Sequence, residues 1–145
     1  MIRKAMEIAR KAHAGQVDKG GKPYIQHPIA VAEMVSTEDE KVVALLHDVV
    51  EDTDITLDAL SDEGFPIHII KAIGAITRQK GENLISYISR VKKDPIAREV
   101  KKADLKHNMD LTRIPNITDT DINRTKLYEW QYRYLCTDDD KLLHC

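Results

Sequence analysis

Residues 42–54 read VVALLHDVVEDTD. Five apolar residues, Val42 to Leu46, run straight into an imidazole and four carboxylates: His47, Asp48, Glu51, Asp52 and Asp54. An apolar run without polar interruption is buried almost all round. A bare charge in such surroundings costs several kcal/mol even after relaxation, so a fold that buries this run must bring partners to those groups. The bland alternative is a helix C-terminus decorated with solvated acids.

The rest of the chain narrows the choice of fold. Its 145 residues suit one domain with room for a core, and residues 1–145 are expected to form it. Helical periodicity dominates, and no strand alternation stands out. Ala5, Ile8, Ala9 and Ala12 make one stripe of a first helix. Gly20, Gly21 and Pro23 break residues 18–24 into a loop. A second helix starts at His27-Pro28 and carries Ile29, Val31, Ala32 and Val35. Thr37 and Glu40 have the spacing of a capping box for a third, which is expected to run through the acidic motif. Residues 56–62, 66–78 and 82–93 read as three more helices. Pro95 opens a long one to about Ile114, and a last one follows Thr118 with Leu127, Trp130 and Tyr134. The expectation is a compact all-α bundle of about six to eight helices, with 136–145 as a frayed tail.

Composition excludes several classes of function. The net charge of -2 offers no overall attraction to nucleic acid or membranes. Aromatic residues, at 5%, are too few for a base-stacking platform. No apolar run approaches the ~20 residues of a membrane span, and no signal-peptide core opens the chain. Cys136 and Cys145 have no metal-ligand spacing and build no disulfide framework, so a reducing cytoplasm is expected. No role attaches to Cys136, His144 or Cys145, and oligomeric state is not legible.

Three clues point to a metal. In an unbroken third helix, His47 and Glu51 share a face, as do Asp48 and Asp52, because each pair is four apart. His47 and Asp48 diverge by about 100° and still converge on an ion lying between them. In the long helix, Ile96, Val100, Ala103, His107, Leu111 and Ile114 trace an inward stripe, with Asp104 on or beside it and Asn108 flanking. An Asp is almost never fully buried unless paired. His27, at a helix start, completes a set of two imidazoles and two carboxylates with His47, Asp48 and Asp104. Such a set suits Mn²⁺, Fe²⁺ or Zn²⁺ better than Ca²⁺ or Mg²⁺, which prefer all-oxygen sites. The competing account is structural, with His107 or His27 a satisfied core histidine.

Four collinear pieces carry a family likeness: AHAGQ at 12–16, GKPYIQHPIAVA at 21–32, VALLHDVVEDT at 43–53 and KKADLKHNM at 101–109. The chain resembles the HD-domain metal-dependent phosphohydrolases, and most closely the hydrolase domain of the Rel/SpoT alarmone enzymes and the stand-alone small alarmone hydrolases. The resemblance implies an all-α HD-domain helical bundle with Mn²⁺ held by His27, His47, Asp48 and Asp104. It implies that Glu51 and Asp52 organise the attacking water and shuttle protons. It implies that Lys19, Tyr24 and Asn108 lie near a nucleotide substrate. The implied reaction removes pyrophosphate from the 3′ position of ppGpp or pppGpp, giving GDP or GTP. With no room for a synthetase domain, hydrolysis alone is expected.

Two positions depart from the family pattern. Asp18 and Asp110 stand where the alarmone hydrolases usually carry arginine, whose fork suits phosphate where a carboxylate repels it. Three explanations are open: pairing with local lysines (Lys19, Lys22 or Lys106), another nucleotide or phosphoester as substrate, or weak binding to all of these. A non-catalytic nucleotide-binding or metal-sensing module is a further alternative, against which the Glu51–Asp52 pair speaks.

Overall fold

The computed structural model describes residues 1–137, and the fold is stated for those residues. Eight helices of six residues or more, and one single-turn helix, make an all-α bundle. In chain order they are α1 (Ile2–Ala12), α2 (Gln26–Met34), α3 (Glu38–Leu46), α4 (Val49–Asp52), α5 (Leu57–Asp62), α6 (Ile67–Ile76), α7 (Leu84–Lys93), α8 (Pro95–Asn108) and α9 (Asp119–Cys136). A 3₁₀ turn, Leu111–Arg113, separates the last two.

Local chemistry sets most boundaries. Thr37 and Glu40 form the expected capping box, each satisfying an amide of the other. Thr56, Asn83 and Asp94 cap α5, α7 and α8 through their side-chain oxygens. Gly64 follows α5 at φ +97°, a backbone conformation that favours glycine. Thr118 and Asp121 make a second capping box at the start of α9.

The core gathers around α3, whose Val42 to Leu46 are all buried. This helix packs against α1, α2, α6 and α8, and α8 in turn against α2, α6, α7 and α9. The acidic motif at the end of α3 therefore lies beside the middle of α8, both inside the bundle.

Two boundaries differ from expectation. The third helix does not run through the motif; it stops at Leu46, and α4 restarts at Val49. The His47 ring explains the break. Its Nδ1 donates to Ala44 O at 2.5 Å, taking the acceptor that the Asp48 amide would use in an unbroken helix. The long helix ends at Asn108 rather than near Ile114. Asp110 is the cause: its side chain accepts from the Thr112 amide at 3.0 Å and starts the 3₁₀ turn.

Candidate metal centre

Three elements deliver the central groups. His27 lies in the first turn of α2, His47 and Asp48 fill the break after α3, and Asp104 projects from α8. His27, His47 and Asp104 each offer a ligand atom within 4.8 Å of the others, and all three are buried. His27 Nε2 is 2.8 Å from Asp104 Oδ1, and His47 Nε2 is 3.3 Å from the same oxygen. Asp48 completes the ring from the side, its Oδ2 lying 3.1 Å from His47 Nε2 and 3.7 Å from His27 Nε2.

The proton positions in this ring decide whether it fits a cation. Ala44 O can only accept, so His47 carries a proton on Nδ1. A neutral His47 then aims its Nε2 lone pair at two carboxylate oxygens. That arrangement is repulsive unless positive charge, a proton or a metal ion, sits between them. His27 is similar. Its Nδ1 lies 2.7 Å from His107 Nδ1, and one of the two must donate. When His27 is the donor, its Nε2 lone pair also faces Asp104. Imidazoles that donate at Nδ1 and present Nε2 are the usual geometry of metal-binding histidines. Donors bound about 2.1 Å from one ion sit about 3 Å from their neighbours in an octahedral shell, close to the separations here. The residues present fit a divalent cation.

The ionised carboxylates of this ring keep a proton on the His47 imidazole. Burial would lower the His47 pKa, but Asp48 and Asp104 outweigh it and keep it well above its ordinary value. Burial would raise Asp48, yet His47 brings it down to about 2. Asp104 is likewise pulled well below the carboxylate range, chiefly by Lys101 against the effect of burial. Lys101 Nζ donates to Asp104 Oδ2 at 3.0 Å, and Asn108 Nδ2 donates to Oδ1 at 3.1 Å. The Tyr24 hydroxyl donates to Asp48 Oδ2 at 2.6 Å, and burial with that contact raises its pKa.

Glu51 and Asp52 stand on the single turn α4 next to this ring. Burial first, then Asp48, raises Asp52. Burial likewise raises Glu51, opposed by the Arg78 amide, which donates to its Oε2 at 3.4 Å.

An HD-domain family model matches residues 5–111. The chain belongs to the HD-domain family. A probable GTP pyrophosphokinase of Mycobacterium leprae is 37% identical over 125 residues, 78% of this chain and 16% of that protein. A guanosine-3′,5′-bis(diphosphate) 3′-pyrophosphohydrolase of Haemophilus influenzae is 36% identical over 117 residues, 70% of this chain and 17% of that protein. The bifunctional (p)ppGpp synthase/hydrolase SpoT of Escherichia coli is 32% identical over 123 residues, 74% of this chain and 17% of that protein. The chain thus spans about a sixth of the length of these relatives. Among solved structures, a metazoan ortholog of SpoT superposes with a TM-score of 0.78 at 23% identity, covering 97% of this chain and 88% of that one. That likeness bears on the fold, an HD-domain helical bundle.

In this HD domain a cavity of about 310 Å³ opens beside His27, and Lys19, Tyr24 and Asn108 all line it. Lys19 reaches across to Asp121 Oδ1 at 2.9 Å. Asn108 is committed to Asp104. The two departures from the family pattern find partners in backbone amides, Thr112 and Arg113. Asp18 Oδ1 accepts from the amides of Gly20 and Lys22, both at 2.9 Å, while its Oδ2 lies 3.8 Å from Arg113. Asp110 accepts from the amide and hydroxyl of Thr112. Gly20 lets this loop press on the 3₁₀ turn: a Cβ there would lie 2.7 Å from Arg113 O. His144 and Cys145 lie outside the described residues, and Cys136 ends α9 with its side chain exposed.

From sequence alone no role attaches to Lys101, Arg113, Arg124 and Tyr128, which contact the ring or line the cavity, while His107, read as inward-facing, meets His27. The Lys101–Asp104 spacing was readable as an i,i+3 pair on α8. Arg124 and Tyr128, on α9, carry no local signal.

Proposed function

We propose that this HD domain is a metal-dependent phosphohydrolase that removes the 3′-pyrophosphate from guanosine 3′,5′-bis(diphosphate) and its pentaphosphate, giving GDP or GTP. The observation that carries the chemistry is the pair of imidazole Nε2 atoms aimed at Asp104 Oδ1, 2.8 and 3.3 Å away, with Asp48 beside them. His27, His47, Asp48 and Asp104 would hold the ion, with Mn²⁺ the expected one and Fe²⁺ or Zn²⁺ alternatives. When bound, such an ion lowers the pKa of water and offsets charge on phosphoryl oxygens.

The remaining chemistry belongs to the side chains. Glu51 takes a proton from the attacking water, and Asp52 exchanges protons with it and with solvent. Their raised pKa values bring both nearer to the range in which a carboxylate gives and takes protons around neutrality. Lys19, Tyr24 and Asn108 line the cavity that would take the nucleoside. The guanine-nucleotide assignment rests on likeness to relatives named for that hydrolysis. Residues 1–145 act as a single domain in this reading. A soluble nucleotide as substrate, with no helix among the described residues long and apolar enough to cross a membrane, fits a cytoplasmic protein.

Asp18 and Asp110 support a second reading, an HD phosphohydrolase of another nucleotide or phosphoester, because both carboxylates line the cavity where the family usually has arginine. One assay separates the two. Purified protein in Mn²⁺ is given ppGpp and a panel of nucleotides, and pyrophosphate and phosphate release are measured. Pyrophosphate from ppGpp is the expected result; turnover of other nucleotides with none from ppGpp overturns the first reading in favour of the second.

A further inference from the structure

The cavity beside His27 has two unlike walls. Val17, Leu111, Ile114 and Tyr128 supply apolar and aromatic surface of the kind a nucleoside needs. The other wall is charged: Asp18, Asp110 and Asp121 stand against Lys19, Arg113 and Arg124. These carboxylates and cations are equal in number, so the wall carries no net positive charge to attract an anion.

Each of these cations is already engaged. Lys19 Nζ donates to Asp121 Oδ1 at 2.9 Å, across 102 residues of chain. Arg124 Nη1 lies 3.9 Å from the same oxygen. Arg113 Nη2 lies 3.8 Å from Asp18 Oδ2, and its Nη1 donates to His107 O at 2.8 Å. The carboxylates are held as firmly. Asp121 Oδ2 accepts from the amide and hydroxyl of Thr118 at 3.0 and 2.9 Å, which fixes the acid at the start of α9. The Thr118 amide, then Lys19, bring its pKa down to about 2, and the hydrogen bonds from Thr112 hold Asp110 below its ordinary value. Both are ionised at neutral pH. Gly20 packs so closely on Arg113 O that a Cβ would lie 2.7 Å from it, so the pairs cannot part without moving the loop of residues 18–24.

Resting on the function proposed above, we propose that this cavity selects against charge at the 5′ end of its nucleotide: a 5′-hydroxyl or a single 5′ phosphate is favoured over a 5′-diphosphate or triphosphate, and Asp18, Asp110 and Asp121 set the preference. In that reading the 3′ phosphorus lies at the metal ring and the 5′ end lies in the cavity. A phosphate there gains a cation only by displacing a carboxylate from it. The displaced carboxylate stays in the cavity and repels the newcomer. Each further phosphate adds negative charge against the same three acids. Asp121 acts twice, because it occupies Lys19 and contributes its own charge. The substrate class is a nucleoside 3′-diphosphate with little charge at its 5′ carbon, and ppGpp is a substrate that the cavity tolerates rather than one it is built for.

The test uses the full chain at a fixed free Mn²⁺ concentration, titrated calorimetrically with guanosine, GMP and GDP. In the wild-type chain guanosine and GMP bind at least as tightly as GDP. Asp121→Asn keeps an oxygen for the Thr118 amide and releases Lys19, so the affinity for GDP relative to guanosine rises about ten-fold. Asp18→Asn keeps an oxygen for the amides of Gly20 and Lys22, loosens Arg113 and moves the ratio the same way; it serves as the second variant should the first disturb α9. Affinity that climbs ten-fold or more from guanosine to GDP in the wild type overturns the assignment. A ratio that neither substitution moves overturns it too, as does failure of all three ligands to bind. Cleavage of ppGpp is followed separately. A chain that binds guanosine as tightly as GDP and leaves ppGpp intact refutes the ppGpp reading alone, whereas one that cleaves ppGpp and binds GDP ten-fold tighter than guanosine refutes this preference alone.

Discussion

Metal binding to this HD domain should release a proton from His47, and pH therefore sets the affinity. In the protein without a cation, His47 Nε2 faces Asp48 at 3.1 Å and Asp104 at 3.3 Å and stays protonated well above its ordinary pKa of 6.5. A folded-state value above the unfolded one means that protonated His47 stabilises the fold fully below about pH 6.5, and that this stabilisation is lost as pH rises through the folded value. A cation must take the place of that proton. Between pH 6.5 and the folded pKa, affinity then rises ten-fold per pH unit, or about 1.4 kcal/mol. At saturating Mn²⁺ the same increment adds to stability. For a chain of this size each kcal/mol is about 3–5 °C of Tm, so the Mn²⁺-induced shift grows by about 5 °C per pH unit. Scanning calorimetry at pH 6.5, 7.5 and 8.5 measures it, and titration in two buffers of different ionisation enthalpy counts the proton. A Mn²⁺ shift independent of pH, or binding without proton release, refutes the arrangement in which His47 Nε2 is a ligand.

Other perturbations act on single links. Glu51→Gln and Asp52→Asn should lower kcat by about 100-fold or more while the Mn²⁺ thermal shift persists, as a role in proton transfer without ligation requires; unchanged turnover refutes the assignment. Tyr24→Phe removes the 2.6 Å contact to Asp48 and should weaken Mn²⁺ binding by about ten-fold, measured by calorimetric titration. Asp18→Asn keeps an oxygen for the amides of Gly20 and Lys22 and removes a charge facing the cavity, so KM for ppGpp should fall severalfold with Tm nearly unchanged. Leu45→Ala opens a hole at the centre of α3, where the side chain is 1% exposed, and should cost about 2–5 kcal/mol in denaturant unfolding.

Much of the helical layout was legible because its causes are local. The Thr37–Glu40 box, Pro95 in the first turn of α8, Gly64 after α5 and the apolar run of α3 act within a few residues of chain. The failures were also local but came from side chains that compete with the backbone. His47 takes the carbonyl of Ala44 and breaks the helix at the motif, while Asp110 takes the amide of Thr112 and ends α8 early. Periodicity has no means of seeing either, since it counts apolar positions and not acceptors.

The candidate site divides along the same line. From residue types and spacing alone came the chemistry: two imidazoles and two carboxylates that cannot be buried without positive charge between them. Only the tertiary structure decided which atoms meet. It brought Asp104 to His47 across 57 residues and to His27 across 77, set His107 behind His27, and gave Asp104 its second cation in Lys101. It also showed that Asp18 and Asp110 are held by backbone amides, Thr112 and a nearby arginine rather than by lysine side chains. The physical reason is distance along the chain. A cap or a turn is settled by neighbours, but a charge buried in the core is settled by whatever the packing of remote helices carries to it.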